Sequence, residues 1–321
     1  MEKEKEKDLL AIKHEDDFLD TACRIKMDTP GGVIPYLDLG ENSDIIENNW
    51  GEGPIFPNTS NEYKSLSLKT KTKFIETSIF KVRTKINKEL EKDLSYYHGL
   101  EKSDMDSLSN STLIHEALNG SQRRLYDLYK NLGNTSSEEV NYSTSWKRFL
   151  YLTLGIKPIT YTNDVARSII VFSNLIAARS RRGKGDFVIV NPRIGSLLQD
   201  SKYFSFIESN RIALVDRFII KIGSISGISV YVNNYLKWDE NEIVIGRKAE
   251  VNSPGVYYLE YMRDIQDSEL IVNPSDLVPC IIRELTERSA TVCVGDSGNK
   301  LYYTARVETT KKPLWRRIIG A

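Results

Sequence analysis

The sequence is poor in the residues that build metal sites and disulfide frameworks. Its 321 residues include only three cysteines and three histidines, and none of them falls at a metal-ligand spacing. We therefore expect no metal site, and cysteines that remain reduced in a cytosolic chain. Lys and Arg together number 44, as do Asp and Glu, so the formal net charge is zero. A neutral chain is not drawn as a whole to nucleic acid or to an anionic membrane.

Long apolar runs are also missing from the sequence. No stretch approaches the roughly 18 apolar residues that a membrane-spanning helix requires. The first seven residues alternate in charge and do not open a secretory signal. The sequence therefore predicts a protein without a membrane span that is made and folded in a cytoplasm. Its share of hydrophobic residues, 40%, is that of a globular protein with one elaborate domain or two ordinary ones.

Motifs for catalysis are absent apart from one basic cluster. No Gly-x-Ser-x-Gly elbow occurs, so a serine hydrolase is not supported. The cluster is Arg181-Arg-Gly-Lys-Gly, which could cradle an anion because glycine lets backbone amides approach a phosphate. It follows a predicted helix instead of opening one, and it lacks the phosphate-loop spacing. We favour a helix cap and a tight turn, and we predict no catalytic residue and no cofactor.

The order of predicted elements is that of an α+β protein. Residues 1–61 have weak periodicity and two Gly/Pro clusters, which predict an arm. Residues 62–86 alternate and are rich in Lys and Thr, which predicts an exposed β-hairpin. Apolar spacing predicts a helix over about 103–129, and an Asn/Ser/Thr/Gly-rich linker follows at 131–144. Further predicted elements are a short helix at 87–98, a helix near 163–178, a strand at 187–190 leading into a short helix, and strands at 224–232, 242–246, 255–261 and 277–283.

Several sequence blocks resemble the major capsid proteins of the T-even phage type. Glu89-Leu90, Asp93-Leu94 and His98-Gly99-Leu100 resemble the signature Glu-Leu-x-x-Asp-Leu-x-x-x-His-Gly-Leu of that family. The basic cluster resembles its Arg-Arg-Gly-Lys-Gly-Asn segment, with Asp186 in place of Asn. Val230-Tyr231-Val232 resembles its Lys-Val-Tyr-Val strand. These blocks follow the family's order over roughly residues 80–262, and the departures suggest a distant, minimal relative.

The resemblance implies the Hong Kong 97 capsid fold, in which subunits assemble into an icosahedral shell around double-stranded DNA. The implied divisions are an N-terminal arm, an extended hairpin called the E-loop, a P-domain with a long spine helix, an axial A-domain, and returning P-domain strands. In this sequence they correspond to residues 1–61, 62–86, 87–145, 146–261 and 262–321. The resemblance does not distinguish a major shell protein from a pentameric vertex protein or an encapsulin-like shell protein.

The expected partners are other copies of the chain in hexamers, pentamers or both. The resemblance also implies vertex, portal and scaffolding proteins as partners, DNA through non-specific contact only, assembly in the host cytoplasm, and a place in the virion. Arginine pairs well with carboxylates, so the basic residues are our candidates for contacts between subunits. The candidates are Lys69, Lys71, Lys73, Arg181, Arg182 and Lys184. The competing hypothesis from another class is a soluble enzyme that binds an anion at Arg181–Gly185.

Overall fold

The computed structural model describes residues 18–37, 70–87, 96, 102–141, 160–161, 165–180, 182–206, 218–237, 242–270 and 280–308. Within these ranges the chain forms two sheets and a separate two-stranded ribbon. The strands are β1 Cys23–Lys26, β2 Gly31–Leu37, β3 Thr70–Glu76, β4 Ser78–Asn87, β5 Thr160–Tyr161, β6 Phe187–Val190, β7 Phe204–Phe206, β8 Ile219–Ile225, β9 Ile228–Asn233, β10 Glu242–Gly246, β11 Gly255–Leu270, β12 Cys280–Val294 and β13 Tyr302–Glu308. The α-helices are α1 Lys102–Asn141, α2 Val165–Ser180 and α3 Pro192–Gln199. No helix in the described ranges is both long and apolar enough to cross a membrane.

The four-stranded sheet has the order β1-β11-β12-β4. Its centre is the long antiparallel pair β11 and β12, and β1 joins β11 in parallel. Residues near the start of the chain therefore lie in a sheet with residues 255–294. Strand β11 also runs through the boundary predicted between 261 and 262, and only a register shift between Glu260 and Met262 marks that place.

The seven-stranded sheet has the order β5-β13-β10-β6-β9-β8-β7. Every residue of β6 is buried, as expected for an apolar strand in the middle of a sheet. Asn191 then ends the strand, and its side chain accepts the backbone N–H of Ile194 to cap α3. Helices α2 and α3 cover this sheet with an apolar stripe that includes Ile169, Ile176 and Leu198. The predicted strand and both predicted helices in this region are confirmed.

The predicted strand at 224–232 is in fact a β-hairpin of β8 and β9. Ser226 and Gly227 both have positive φ, 49° and 82°, and Ile225 pairs with Ile228. Positive φ at both central residues is the mark of a type I′ turn, whose twist matches that of the flanking strands. The Ser226-Gly227 pair is the sequence signal for this turn, and predicting one continuous strand over 224–232 leaves it out of account.

Helix α1 is the long helix predicted at 103–129, but it continues to Asn141. The linker predicted at 131–144 is therefore wrong over 131–141. Packing explains the difference, because α1 lies directly on β13. A Cβ atom at Gly133 would come within 2.3 Å of the Thr304 side chain and 2.9 Å of its backbone nitrogen. A residue that breaks helices in isolation is here the one that permits close contact, and tertiary packing overrides propensity.

Tyr129 of α1 lies where the N-terminal segment and the second sheet meet the helix. Its side chain is fully buried, and its hydroxyl lies 3.1 Å from the hydroxyl of Thr21. Its ring centroid is 5.0 Å from those of Phe187 and Tyr302 and 6.4 Å from that of Phe18. Burial raises the pKa of Tyr129 far above its ordinary value. Tyr129 thus contacts both the segment at 18–21 and the seven-stranded sheet, within a cluster that includes other buried side chains of the helix.

Glu287 of β12 holds the same helix on the four-stranded sheet. It is 1% exposed. Burial alone would raise the pKa of Glu287, but Arg263 and the surrounding donors hold it below the ordinary value. Because buried charges need such partners, the cluster must form as a unit. The donors to its carboxylate are Ser121 and Ser289 at 2.7 Å, Arg124 at 3.0 Å, Arg263 at 3.1 Å and Tyr258 at 3.2 Å.

Candidate subunit interface

The strands predicted as one hairpin at 62–86 do not pair with each other. Strand β3 pairs with β2, from Gly31 opposite Glu76 to Leu37 opposite Thr70. Strand β4 instead pairs with β12 of the four-stranded sheet. The strand content predicted there is confirmed over 70–86, and the pairing is corrected. We call the two-stranded unit the β2–β3 ribbon.

The two faces of the β2–β3 ribbon differ sharply. Residues directly opposite each other share a face, and successive residues alternate between faces. The inner face carries Ile34 and Ile75, which are 6% and 7% exposed and pack against the four-stranded sheet. The outer face carries the opposed pair Val33 and Phe74, which are 57% and 63% exposed. The outer face of the ribbon therefore presents a pair of apolar side chains to solvent.

The lysines predicted at subunit contacts lie on the inner side of this ribbon. Lys71 and Lys73 alternate with Thr72 and share the face that carries Ile75. Lys73 donates from Nζ to the backbone oxygen of Cys293 at 2.7 Å. Its amine is thus engaged within the chain, and the outer face carries Val33 and Phe74 instead of these lysines. Lys69 lies outside the described residues.

The basic cluster forms the turn between α2 and β6. Gly183 has a φ of 114°, and a Cβ there would lie 2.3 Å from the Arg247 guanidinium. Arg182 donates to the backbone oxygen of Pro254 at 3.3 Å, and Lys184 donates to that of Ser226 at 3.4 Å. These bonds direct the two side chains to different neighbours. Arg181 lies outside the described residues.

The backbone amides of this turn are largely occupied. Arg182 donates its N–H to Ser180 Oγ at 3.2 Å, and Gly185 donates to the Ser173 carbonyl at 3.1 Å. A phosphate cradle needs such N–H groups directed at the ligand. The geometry therefore fits a helix end and turn better than an anion loop of the nucleotide-binding kind.

Asp186 joins this turn to the segment after β10. Its carboxylate accepts the backbone N–H of Lys248 at 3.0 and 3.2 Å. Burial raises the pKa of Asp186, and the Lys248 N–H and the Arg247 charge oppose that shift. Asp186 thus fixes the position of residues 247 and 248, which enter a cleft beside Arg182.

That cleft has a volume of about 550 Å³ and contains cations that sequence reasoning missed. Arg182, Arg247 and Lys248 line it together with Leu37 at the end of the β2–β3 ribbon. Lys184 and the ribbon lysines are not part of it. The sequence does not predict that residues 182 and 247 lie close together, because their proximity depends on the pairing of β6 with β10. In the part of the chain that the structure describes, no group of His, Cys, Asp or Glu side chains is arranged to hold a metal ion.

Comparison with solved structures identifies the architecture. A structure from Microbacterium phage Oxtober96 matches with a TM-score of 0.50 at 11% identity, covering 91% of this chain and 90% of that chain. A structure from Mycobacterium phage Cain has a TM-score of 0.46 at 10% identity and covers 92% and 90%. The mature capsid of bacteriophage PhiM1 has a TM-score of 0.42 at 10% identity and covers 92% and 87%. No curated protein matches the sequence significantly.

The chain has the Hong Kong 97 capsid fold. The sequence then gives the family, because residues 51–317 match the family described as Major capsid protein Gp23. The chain belongs to that family. Its role is therefore structural: it forms a capsid, it is a component of the virion, and it assembles with copies of itself into shells.

Proposed function

We propose that this chain is the major shell subunit of a tailed-phage head, that it catalyses no reaction, and that the β2–β3 ribbon is its principal contact with the next copy. The observation that carries the proposal is the sidedness of the ribbon. Its inner face is fixed to the four-stranded sheet, and its outer face presents Val33 and Phe74 to solvent. Exposed apolar patches of this kind mark surfaces that bind other proteins.

The proposed arrangement uses heterologous contacts, in which different surfaces of identical subunits meet and close into rings and a shell. The ribbon and its connecting residues 38–69 would then serve as the E-loop, in place of residues 62–86. The family implies hexamers, pentamers or both, together with vertex, portal and scaffolding proteins, and assembly in the host cytoplasm around DNA that is contacted without sequence preference. Arg181, Arg182, Lys184, Lys69 and Lys71 remain predicted contact residues. Lys73 is the weakest of the six candidates, because its bond to a backbone oxygen, at 2.7 Å, is shorter than the corresponding bonds of Arg182 and Lys184.

The ribbon predicts the effect of a charged residue at position 74. Phe74→Asp should leave a folded, soluble chain, because the Phe74 side chain is 63% exposed. Burying an aromatic side chain at an interface contributes about 1.5–3 kcal/mol to the binding free energy. Losing it should therefore raise the dissociation constant of each contact between subunits roughly tenfold or more. Since a shell repeats that contact many times, we expect no shells at concentrations at which the wild type assembles.

Sedimentation and electron microscopy of the purified chain would measure this effect. The matched control is Phe74→Leu, which keeps the face apolar and should assemble normally. Normal shells from Phe74→Asp would refute the ribbon as the principal contact. A vertex protein would give only pentamers in the same images, and small soluble oligomers with a bound nucleotide would support the enzyme hypothesis instead.

A further inference from the structure

The cleft beside Arg182 has a surplus of positive charge at the surface. Arg182, Arg247 and Lys248 line it, and Glu250 is the only acidic residue among its lining residues. The contact between Arg247 Nη2 and Glu250 Oε1 is 3.4 Å, and the Glu250 side chain is 79% exposed. An ion pair that loose and that exposed contributes little. The cleft therefore keeps a net positive charge that is available to a ligand.

Two of these cations retain donors for an incoming carboxylate. Arg247 donates to the Lys184 carbonyl at 3.2 Å and to Glu250, and a guanidinium has five N–H groups in all. The Lys248 ammonium has no hydrogen-bond partner among the described residues, although its backbone N–H is held by Asp186. Asp186 offsets part of the positive charge from behind the cleft, but its carboxylate is already occupied by that N–H. The walls are otherwise partly apolar, with Leu37, Val251 and Leu301.

The chain carries a matching acidic stretch. From Asp38 to Tyr63 the sequence has no Lys, Arg or His and six carboxylates, in a protein whose total charge is zero. The carboxylates are Asp38, Glu41, Asp44, Glu47, Glu52 and Glu62. Carboxylates are the partners that arginine forks bind best.

We propose that the cleft of one subunit binds the acidic stretch 38–63 of a second copy of this chain. The inference rests on the proposed shell-forming function and names the partner surface for the residues that connect the two strands of the ribbon. A head-to-tail contact joins two different surfaces of identical chains, and complementary charge on those surfaces gives the contact specificity.

The length of the connection favours the second copy over the subunit's own cleft. Leu37 and Thr70 are paired, so residues 38–69 leave and return at the same end of the ribbon. A chain of that length can extend about 50 Å outward and back, compared with a radius of gyration of about 20 Å for a folded chain of 321 residues. Asp38 and Glu41 follow Leu37, which lines the cleft, by one and four residues. The carboxylates further along the connection have the reach to meet the next subunit.

Mixed charge reversal tests the proposal and identifies the direction of the contact. The cleft variant combines Arg247→Glu with Lys248→Glu, and the stretch variant combines Glu41→Lys, Asp44→Lys and Glu47→Lys. Each alone should lose at least tenfold in shell yield, because like charges then meet at every contact. An equal mixture should recover assembly, since each negative cleft can take a positive stretch and each unaltered cleft an unaltered stretch. If the stretch occupied its own cleft, mixing would rescue nothing, and that result would overturn the proposal.

A second measurement does not depend on the variants. Zero-length carbodiimide coupling of wild-type shells, built from isotopically light and heavy chains, should join Lys248 to carboxylates of residues 38–63. About half of these links should connect a light chain to a heavy one. Links confined to single chains, or none at Lys248, would refute the inference.

The controls separate this inference from the proposed function. Lys248→Glu alone tests the cleft with the least risk to folding, because the Lys248 ammonium has no partner within the described residues. Lys237→Glu is the matched reversal at an exposed lysine outside the cleft and should assemble normally. If the cleft variants form wild-type shells while Phe74→Asp does not, the cleft inference fails and the shell function stands. If the wild-type chain forms no shells, the proposed function itself fails.

Discussion

Replacing Glu287 by Gln should lower the free energy of unfolding of the unassembled chain by about 3–5 kcal/mol, the range observed when one partner of a buried ion pair is removed. The Glu287 carboxylate is 1% exposed and accepts from both Arg124 and Arg263. Glutamine has nearly the same shape but no charge, so Arg124 would lose its ion pair with Glu287, and Arg263 would keep the longer contact of 3.6 Å with Glu260. The loss should also loosen α1 from the four-stranded sheet, because Arg124 belongs to that helix.

Urea denaturation of the unassembled protein would measure the change. Glu284→Gln is the matched control on the same strand. Glu284 bonds with Lys81 and Arg83, and these contacts hold its pKa at about 2. Its partners are largely exposed and screened by solvent, so its loss should change stability much less. Equal losses of stability from the two substitutions would show that the burial of Glu287 does not determine the size of the effect.

The dependence on pH provides an independent check of the same cluster. The folded pKa of Glu287 is lowered, so its stabilising contribution is fully present above the unfolded pKa of about 4.3. That contribution is lost as the pH falls through the folded value. The difference in free energy of unfolding between the wild type and Glu287→Gln should therefore shrink when the pH falls below about 4.3. A difference in free energy of unfolding that stayed constant at acidic pH would contradict the assignment of a charged Glu287 carboxylate.

Tyr129→Ala should destabilise the chain by about 3–5 kcal/mol, the cost of emptying a fully buried aromatic position. The ring packs against Phe187 and Tyr302 of the seven-stranded sheet and against Phe18 before β1. The cavity would therefore open between the helix, the N-terminal segment and the sheet. None of the three can move into it without giving up its own contacts.

Tyr129→Phe separates packing from hydrogen bonding at this position. It removes only the hydroxyl that contacts Thr21 and should cost about 1 kcal/mol. Thermal unfolding of the two variants beside the wild type would compare them. A loss for Tyr129→Phe as large as that for Tyr129→Ala would assign the effect to the hydrogen bond, against our expectation.

Local patterns in the sequence predicted most of the elements correctly. The stripe of apolar residues in α2, the apolar run of β6 and the Asn191 cap of α3 are all local signals, and each element lies where its signal falls. The prediction from local composition was wrong at 131–141, where polar residues and Gly133 predict a linker. In the structure Gly133 packs closely against Thr304, far away in sequence, and the segment is helical.

The candidate interface was harder to predict because it depends on pairing between distant strands. Strands β2 and β3 are separated by residues 38–69, so no short hairpin turn links them in the sequence. Alternation within β3 could have placed Phe74 on the face opposite Lys73. It could not have shown which face would be covered by the sheet. Likewise, Arg182 and Lys248 meet only because β6 and β10 are neighbours in the folded sheet.

The exposed apolar face of the β2–β3 ribbon affects the solubility of a newly made subunit. Before it meets a neighbour, it must stay dissolved while it presents Val33 and Phe74 to water. Pro35 on β2 has no N–H to offer an added strand, and β3 carries the charged Lys71 opposite Tyr36, so random edge-to-edge joining is discouraged. Weak single contacts of this kind make assembly cooperative. Shells should therefore appear only above a threshold concentration, and below it the chains should remain apart and soluble.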